Sequence, residues 1–251
     1  MGAPGYDKLE ARLTRLERTV DKLVAAVDRS LGPVEPDPAT VYAVPIDPRD
    51  PIEGPADARV TIVVAFELMD PFSAVVIPAL AQVAGKHPAD VRVVWKYLLV
   101  HGTPALGAGL VTCGAARQHA WPAVRAALVA RLYTGQPPQP HPELGSYEQL
   151  RPVATQAGLD VTRLDADRPT CDAWFAATRA ALEPIGIRTT PAIFINGRHV
   201  GGARDAAALE GLVAAALVAA GKRIAEGVAP AELYQREVVD TGAKHLVGRF
   251  E

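Results

Sequence analysis

Two apolar, β-branched runs constrain this chain more than any other feature: "RVTIVVAFEL" from Arg59 and "DVRVVWKYLLV" from Asp90. Neither alternates polar with apolar, which is how a strand reads when both faces of its sheet are covered. Between them lies "DPFSAVVIPALAQVAGKH", Asp70 to His87, a helical pattern with Pro78 as an internal kink candidate. Strand, helix, strand at these lengths is a βαβ unit, so the two strands pair in parallel. The core closes with "TTPAIFINGRHVGGA": a strand, an Asn-Gly pair and a short strand, the signature of a tight hairpin. An Ala-rich helix, "RDAAALEGLVAAALVAAGKR", follows, and "APAELYQRE" reads as further helix or an ordered extension. The fold class is α/β.

The segment between the second strand and the hairpin is mostly helical, apart from a Pro-rich loop, "QPPQPHPELG". Its "GAGLVTCG" lacks the G-x-G-x-x-G spacing and follows no clean strand, so it reads as a helix start rather than a nucleotide loop. There is no P-loop, no G-x-S-x-G elbow and no solenoid repeat.

Residues 1–31 read as one amphipathic helix. Tyr6, Leu9, Leu13, Leu16, Val20, Leu23 and Val27 fall at alternating steps of three and four, a heptad a/d stripe. Arg12 falls at g and Glu17 at the following e, where a parallel partner can pair them. The stripe is narrower than a core-facing helix shows. Homo-oligomerisation through Leu9, Leu13, Leu16, Val20, Leu23 and Val27 is therefore expected. Residues 32–58 carry seven prolines. They read as a semi-rigid linker, because X-Pro pairs favour extended and turn geometry. Residues 59–222 form the main domain, with a helical insertion over about 102–184, and 223–251 a C-terminal extension.

Bulk properties remove several functions. A net charge of −2 and no basic cluster give no footprint for nucleic acid. The apolar runs fall short of the roughly 20 residues a spanning helix needs. The start shows no basic n-region followed by an apolar h-region, so the chain as it stands reads as cytoplasmic, and as periplasmic or exported if a signal has been removed. The six histidines are scattered and the two cysteines form neither a C-x-x-C motif nor a zinc set. No metal and no cofactor are expected.

"VTIVVAFELMDPF", "VRVVWKYLLVHG" and "GIRTTPAIFINGRHVGGA" together resemble the DsbA-like branch of the thioredoxin fold. The last is close to the family pattern G-x-x-x-T-P-x-F-x-I-N-G-x-x-x-x-G. The match runs from about Ala58 to Lys222. The resemblance implies a thioredoxin fold with an inserted helical subdomain. It also implies a cis bond at Thr190–Pro191, facing the start of the "DPFS" helix. Such a bond turns the preceding backbone groups outwards, where an extended peptide can pair with them.

The family's redox centre is C-x-x-C at that helix start, with a thiolate stabilised by free N–H groups and the helix dipole. Position for position, Asp70 and Ser73 replace the two cysteines, while Pro71 and Phe72 match a common interior. Oxygen cannot carry out thiol–disulfide exchange, which needs an attacking thiolate and a resolving thiol. No catalytic residue is expected at Asp70 or Ser73. Asp at N-cap, Pro at N1 and Ser at N3 make a good helix start. Two roles for Asp70 stay open: a helix cap, or one wall of a ligand groove with Pro71, Phe72, Ser73, Thr190 and Pro191.

The expected function is a non-redox peptide- or protein-binding, chaperone-like module whose ligand the sequence does not name. A second reading is a kappa-type glutathione-dependent transferase or isomerase, which typically carries S-P-[FY]-[SA] here. Asp70 in the place of that serine would repel a glutathione thiolate. The chain also reads as a relative of the thiol–disulfide oxidoreductases by fold only, or as a domain with no ligand. Cys113 and Cys171, both in the insertion, stay open between two buried thiols and one structural disulfide, since sequence does not set a Cα distance.

Overall fold

The computed structural model describes residues 12–16, 18–20, 22, 35–135, 138–141 and 145–247. The chain divides into two units, Met1–Glu35 and Pro36–Glu251. In the first, the described residues 12–16, 18–20 and 22 are helical and form α1. Leu13, Leu16 and Val20 are exposed there, at 57%, 60% and 54%. Leu9, Leu23 and Val27, the rest of the heptad stripe, lie outside the described residues.

The second unit is built on a five-stranded sheet in the order β1 (Ile52–Glu53), β3 (Val91–Tyr97), β2 (Val60–Phe66), β6 (Ala192–Ile195), β7 (Arg198–Val200). Strand β2 (Val60–Phe66) lies at its centre, with every residue buried. Its side chains alternate between two cores. Val60, Ile62, Val64 and Phe66 enter one, and Val63 and Ala65 the other. That alternation across two covered faces is why the run is apolar throughout. Helix α2 (Pro71–Lys86) crosses over and passes through Pro78 without ending. It delivers the chain to β3 (Val91–Tyr97), parallel to β2 from Val60↔Val91 to Phe66↔Tyr97. On the other side of β2, β6 (Ala192–Ile195) runs antiparallel and pairs with β7 (Arg198–Val200). Asn196 and Gly197 form the turn between them at φ 44° and 79°. A Cβ on Gly197 would meet Val238 Cγ1 at 2.7 Å and Tyr42 O at 2.8 Å, so the close approach admits only glycine. The Asn196 side chain accepts from Thr61 N and donates to Arg59 O, which ties the hairpin to the start of β2.

The insertion comprises α3 (Thr103–Arg117), α4 (Trp121–Leu132), the small hairpin of β4 (Tyr133–Thr134) and β5 (Gln139–Pro140), α5 (Tyr147–Gln156), α6 (Val161–Ala166) and α7 (Arg168–Leu182). A 3-10 turn, Glu183–Ile185, leads back to the sheet. The "GAGLVTCG" run lies inside α3. The β4–β5 hairpin is not foreseen by the Pro-rich loop pattern. The final core helix is α8 (Ala206–Ala225).

The linker reading needs correction over residues 36–58. Tyr42 and Val44 are fully buried in the second core, beside Tyr234 and Val238 from the tail. Val41 bridges to Arg198 and Tyr42 to Ala243, and the Tyr234 hydroxyl donates to Val44 O. Ile52–Glu53 forms β1, antiparallel to β3. Proline disfavours long regular helix or sheet, but it does not stop neighbouring apolar side chains from docking. This segment and the tail, α9 (Pro230–Tyr234) with the π-helical turn Gln235–Asp240, cover one face of the sheet.

Candidate ligand site at the strand–helix junction

Strand β2 ends at Phe66, and Asp70 caps α2 with extended backbone at φ −94° and ψ 120°. Its carboxylate accepts from Phe72 N at 3.0 Å, Ser73 N at 3.1 Å and Ser73 Oγ at 2.7 Å. Ser73 Oγ in turn accepts from Glu67 N at 3.3 Å. Asp70 is 3% exposed and Ser73 0%. A short side chain at N-cap or N3 reaches the free N–H groups of the first turn more easily than solvent, with a typical contribution of about 1 kcal/mol. The side-chain oxygens of Asp70 and Ser73 are therefore internal to the helix start. The positive end of α2, which would stabilise a thiolate, is compensated by the Asp70 carboxylate.

Tyr133, from the insertion, roofs this turn. Its hydroxyl donates to Leu68 O at 2.6 Å and Asp70 O at 3.0 Å. Burial first, then the charges of Asp70 and Glu67, push its ionisation far above the usual phenol range, so it remains a donor. Glu67 is fully buried. It accepts from Val100 N at 2.7 Å and His101 N at 2.9 Å and also pairs with His101 Nδ1, joining the exits of β2 and β3. The sequence reading names neither Glu67 nor Tyr133 as a site residue. An acid closing an apolar strand was a visible signal for Glu67. Nothing local marks Tyr133.

The Thr190–Pro191 bond is cis. The register that pairs Ala65 with Ala192 reaches Glu67 and Thr190 two residues further on. That rung is not made, because Glu67 N–H is turned to Ser73 Oγ. Among the described residues, the N–H and C=O of Thr190 have no hydrogen-bond partner, and neither does its buried Oγ1. The expected groove thus divides. Asp70 and Ser73 are interior, Pro71, Thr190 and Pro191 are half-buried, and Phe72 stands 62% exposed. Val75, one turn further along α2, and Val100 are also exposed.

Cys113 in α3 and Cys171 in α7 are joined in a disulfide, with Cα atoms 5.7 Å apart, and both are buried. They are the only cysteines of the chain, so it carries no free thiol. Among the described residues, no three His, Cys, Asp or Glu side chains gather as a metal set. No described helix is long and apolar enough to cross a membrane. A cavity of about 540 Å³ opens between Pro48–Ile52 and Ala116–Pro122. Its arginines, Arg49 and Arg117, are engaged by Asp47 and Asp167.

No family model matches this chain, and no curated protein matches it. Solved structures do. A thioredoxin-like oxidoreductase from Silicibacter pomeroyi DSS-3 superposes with a TM-score of 0.59 at 23% identity, covering 68% of this chain and 93% of its own. A periplasmic thioredoxin-like protein from Salmonella enterica serovar Typhimurium gives 0.57 at 21%, covering 68% and 92%. Proteus mirabilis ScsC in a transitional conformation gives 0.56 at 16%, covering 87% and 99%. With the parallel β2–β3 pair, the antiparallel hairpin on its other side and the helical insertion, these likenesses establish a thioredoxin fold of the DsbA-like kind, here with Asp-Pro-Phe-Ser at the strand–helix junction.

Proposed function

We propose that this chain binds extended, apolar polypeptide at the junction of β2 and α2, without thiol chemistry there. The observation that carries this reading is the interrupted ladder at Thr190. A backbone N–H and C=O left unpaired at the end of a strand are what strand addition requires, and Phe72, exposed in the first turn of α2, offers apolar surface. The buried, self-satisfied Asp70–Ser73 cap supports a site that positions backbone and does not react. A kappa-type glutathione site gains no support, since Asp70 stands where that class has its serine and the neighbouring Ser73 hydroxyl donates inwards to Asp70. The disulfide is of a kind that persists in oxidising compartments, and with the periplasmic neighbour it favours an exported protein.

In an insulin-reduction assay with dithiothreitol, the natural chain is expected to show no turnover above background. Asp70→Cys with Ser73→Cys is expected to gain it, because the helix dipole then acts on a thiolate. Turnover by the natural chain that survives Cys113→Ala with Cys171→Ala would overturn the non-redox reading. A thiol-blocked unfolded protein is expected to bind, and Phe72→Glu to weaken it about tenfold, or about 1.4 kcal/mol. Equal affinity for the variant would place the ligand elsewhere.

We also propose that α1 self-associates through its a/d stripe. Leu13, Leu16 and Val20, all exposed, support this. Leu13→Glu with Leu16→Glu is expected to lower the mass measured by light scattering. An unchanged mass would remove α1 as a seam.

A further inference from the structure

Helix α8 contains a run, Gly211 to Gly221, without one polar side chain. Its inner face packs on the domain, with Leu209, Val213 and Ala220 buried. Its outer face lies in water. Leu212 is 40% exposed and Val218 64%, and Ala208, Gly211, Ala215 and Ala219 are exposed beside them. These positions recur at spacings of three and four, so they form one stripe along the helix. At a rise of about 1.5 Å per residue, it is about 20 Å long before Lys222 interrupts it. Single exposed leucines are ordinary, but a continuous apolar face on a soluble domain marks a contact.

The charges at the two ends identify the occupant. Arg204 and Asp205 stand at the N-terminal end, Lys222 and Glu226 at the C-terminal end. Among the described residues, no carboxylate pairs with Arg204 or Lys222. A two-fold axis through Ala215 makes this stripe complementary to itself. Leu212 then meets Val218 of the partner subunit, and Gly211 meets Ala219 of the partner subunit. Lys222 comes to rest over Ala208 of the partner subunit, one turn from its capping aspartate. Arg223 does not disturb this arrangement, since Glu237 and Glu226 of its own chain hold it. A parallel pairing would instead set lysine on lysine and aspartate on aspartate. Small residues at the crossing let the helix axes approach to about 8 Å.

We propose that α8 is an isologous interface on which a second copy of this chain docks antiparallel about Ala215. This contact is independent of α1 and of the peptide site.

The test uses the full chain carrying Leu13→Glu and Leu16→Glu, so that α1 does not contribute. Sedimentation at micromolar concentration is expected to give twice the single-chain mass. Adding Ala215→Glu, which sets two carboxylates on the axis, is expected to return the single-chain mass with an unchanged melting curve. The geometry is read separately by cysteine. The native pair is already bonded, so Ala215→Cys is expected to give a disulfide-linked dimer on oxidation. Leu212→Cys alone is expected not to link, because its own copy lies beyond the roughly 7 Å limit between Cα atoms. A mixture of Leu212→Cys and Val218→Cys chains is expected to link. A single-chain mass before Ala215→Glu is added leaves this face to some other occupant and overturns the proposal. A dimer that Ala215→Glu does not dissociate, or Leu212→Cys linking as readily as Ala215→Cys, overturns it equally.

Discussion

Lys96→Met is expected to lower stability by about 3–5 kcal/mol at neutral pH, the usual cost of leaving a buried charge without its partner. Lys96 is 1% exposed and Asp50 6%. Lys96 Nζ donates to Asp50 Oδ2 at 2.5 Å, Trp174 Nε1 donates to Asp50 Oδ1 at 2.8 Å, and Asp47 N donates to Asp50 Oδ2 at 2.8 Å. This cluster joins the segment before β1 to β3 and to α7, and so holds the insertion on the sheet. Burial raises the Asp50 pKa above the ordinary carboxylate value, and Lys96 and Trp174 offset part of that rise. The sign for pH follows from linkage. A carboxylate with a raised native pKa binds its proton more tightly folded than unfolded, so its ionised form costs stability, and that cost disappears as pH falls through the raised value. Removing Lys96 raises that value further. The gap between Lys96→Met and the natural chain is therefore expected to narrow in acid, in urea unfolding at neutral and at acid pH. A gap that is constant or widens would show that Lys96 acts through packing alone. Adding Asp50→Asn to Lys96→Met is expected to restore part of the loss at neutral pH, since no unpaired charge then remains buried.

Cys113→Ala with Cys171→Ala is expected to cost about 4 kcal/mol, the loop-closure value for two cysteines 58 positions apart. The bond closes a loop through α3, α4, α5 and α6 to α7, and this loop carries Tyr133, the roof of the strand–helix junction. Dithiothreitol is expected to bring the urea midpoint of the natural chain to that of the double variant, and to leave the variant unchanged. A natural chain that keeps its oxidised midpoint when reduction is complete, by thiol titration, would show that helix packing alone holds the insertion.

The features legible in the sequence were those whose chemistry is local. The apolar β2 and β3 runs, the two-residue Asn196–Gly197 turn and the Asp70 cap each depend on residues within a few positions. The heptad stripe of α1 is equally local, though only Leu13, Leu16 and Val20 of it are described. The segment 36–58 escapes a sequence reading because proline content describes backbone preference and is silent on docking. Tyr42 and Val44 are buried by partners from the far end of the chain, Tyr234 and Val238 among them.

At the junction itself, the sequence alone determines the side chains: Asp and Ser stand at 70 and 73, and neither carries the thiol that disulfide exchange requires. What only the tertiary structure decided was which side of the junction faces outwards. Tyr133 lies 63 residues from Asp70 and seals it, while the unmade rung between Glu67 and Thr190 leaves the Thr190 backbone without a partner among the described residues. A cap is chosen by a side chain's nearest backbone donors, which lie next to it in sequence. Burial and an unpaired strand end depend on segments that meet only when the sheet and the insertion close together.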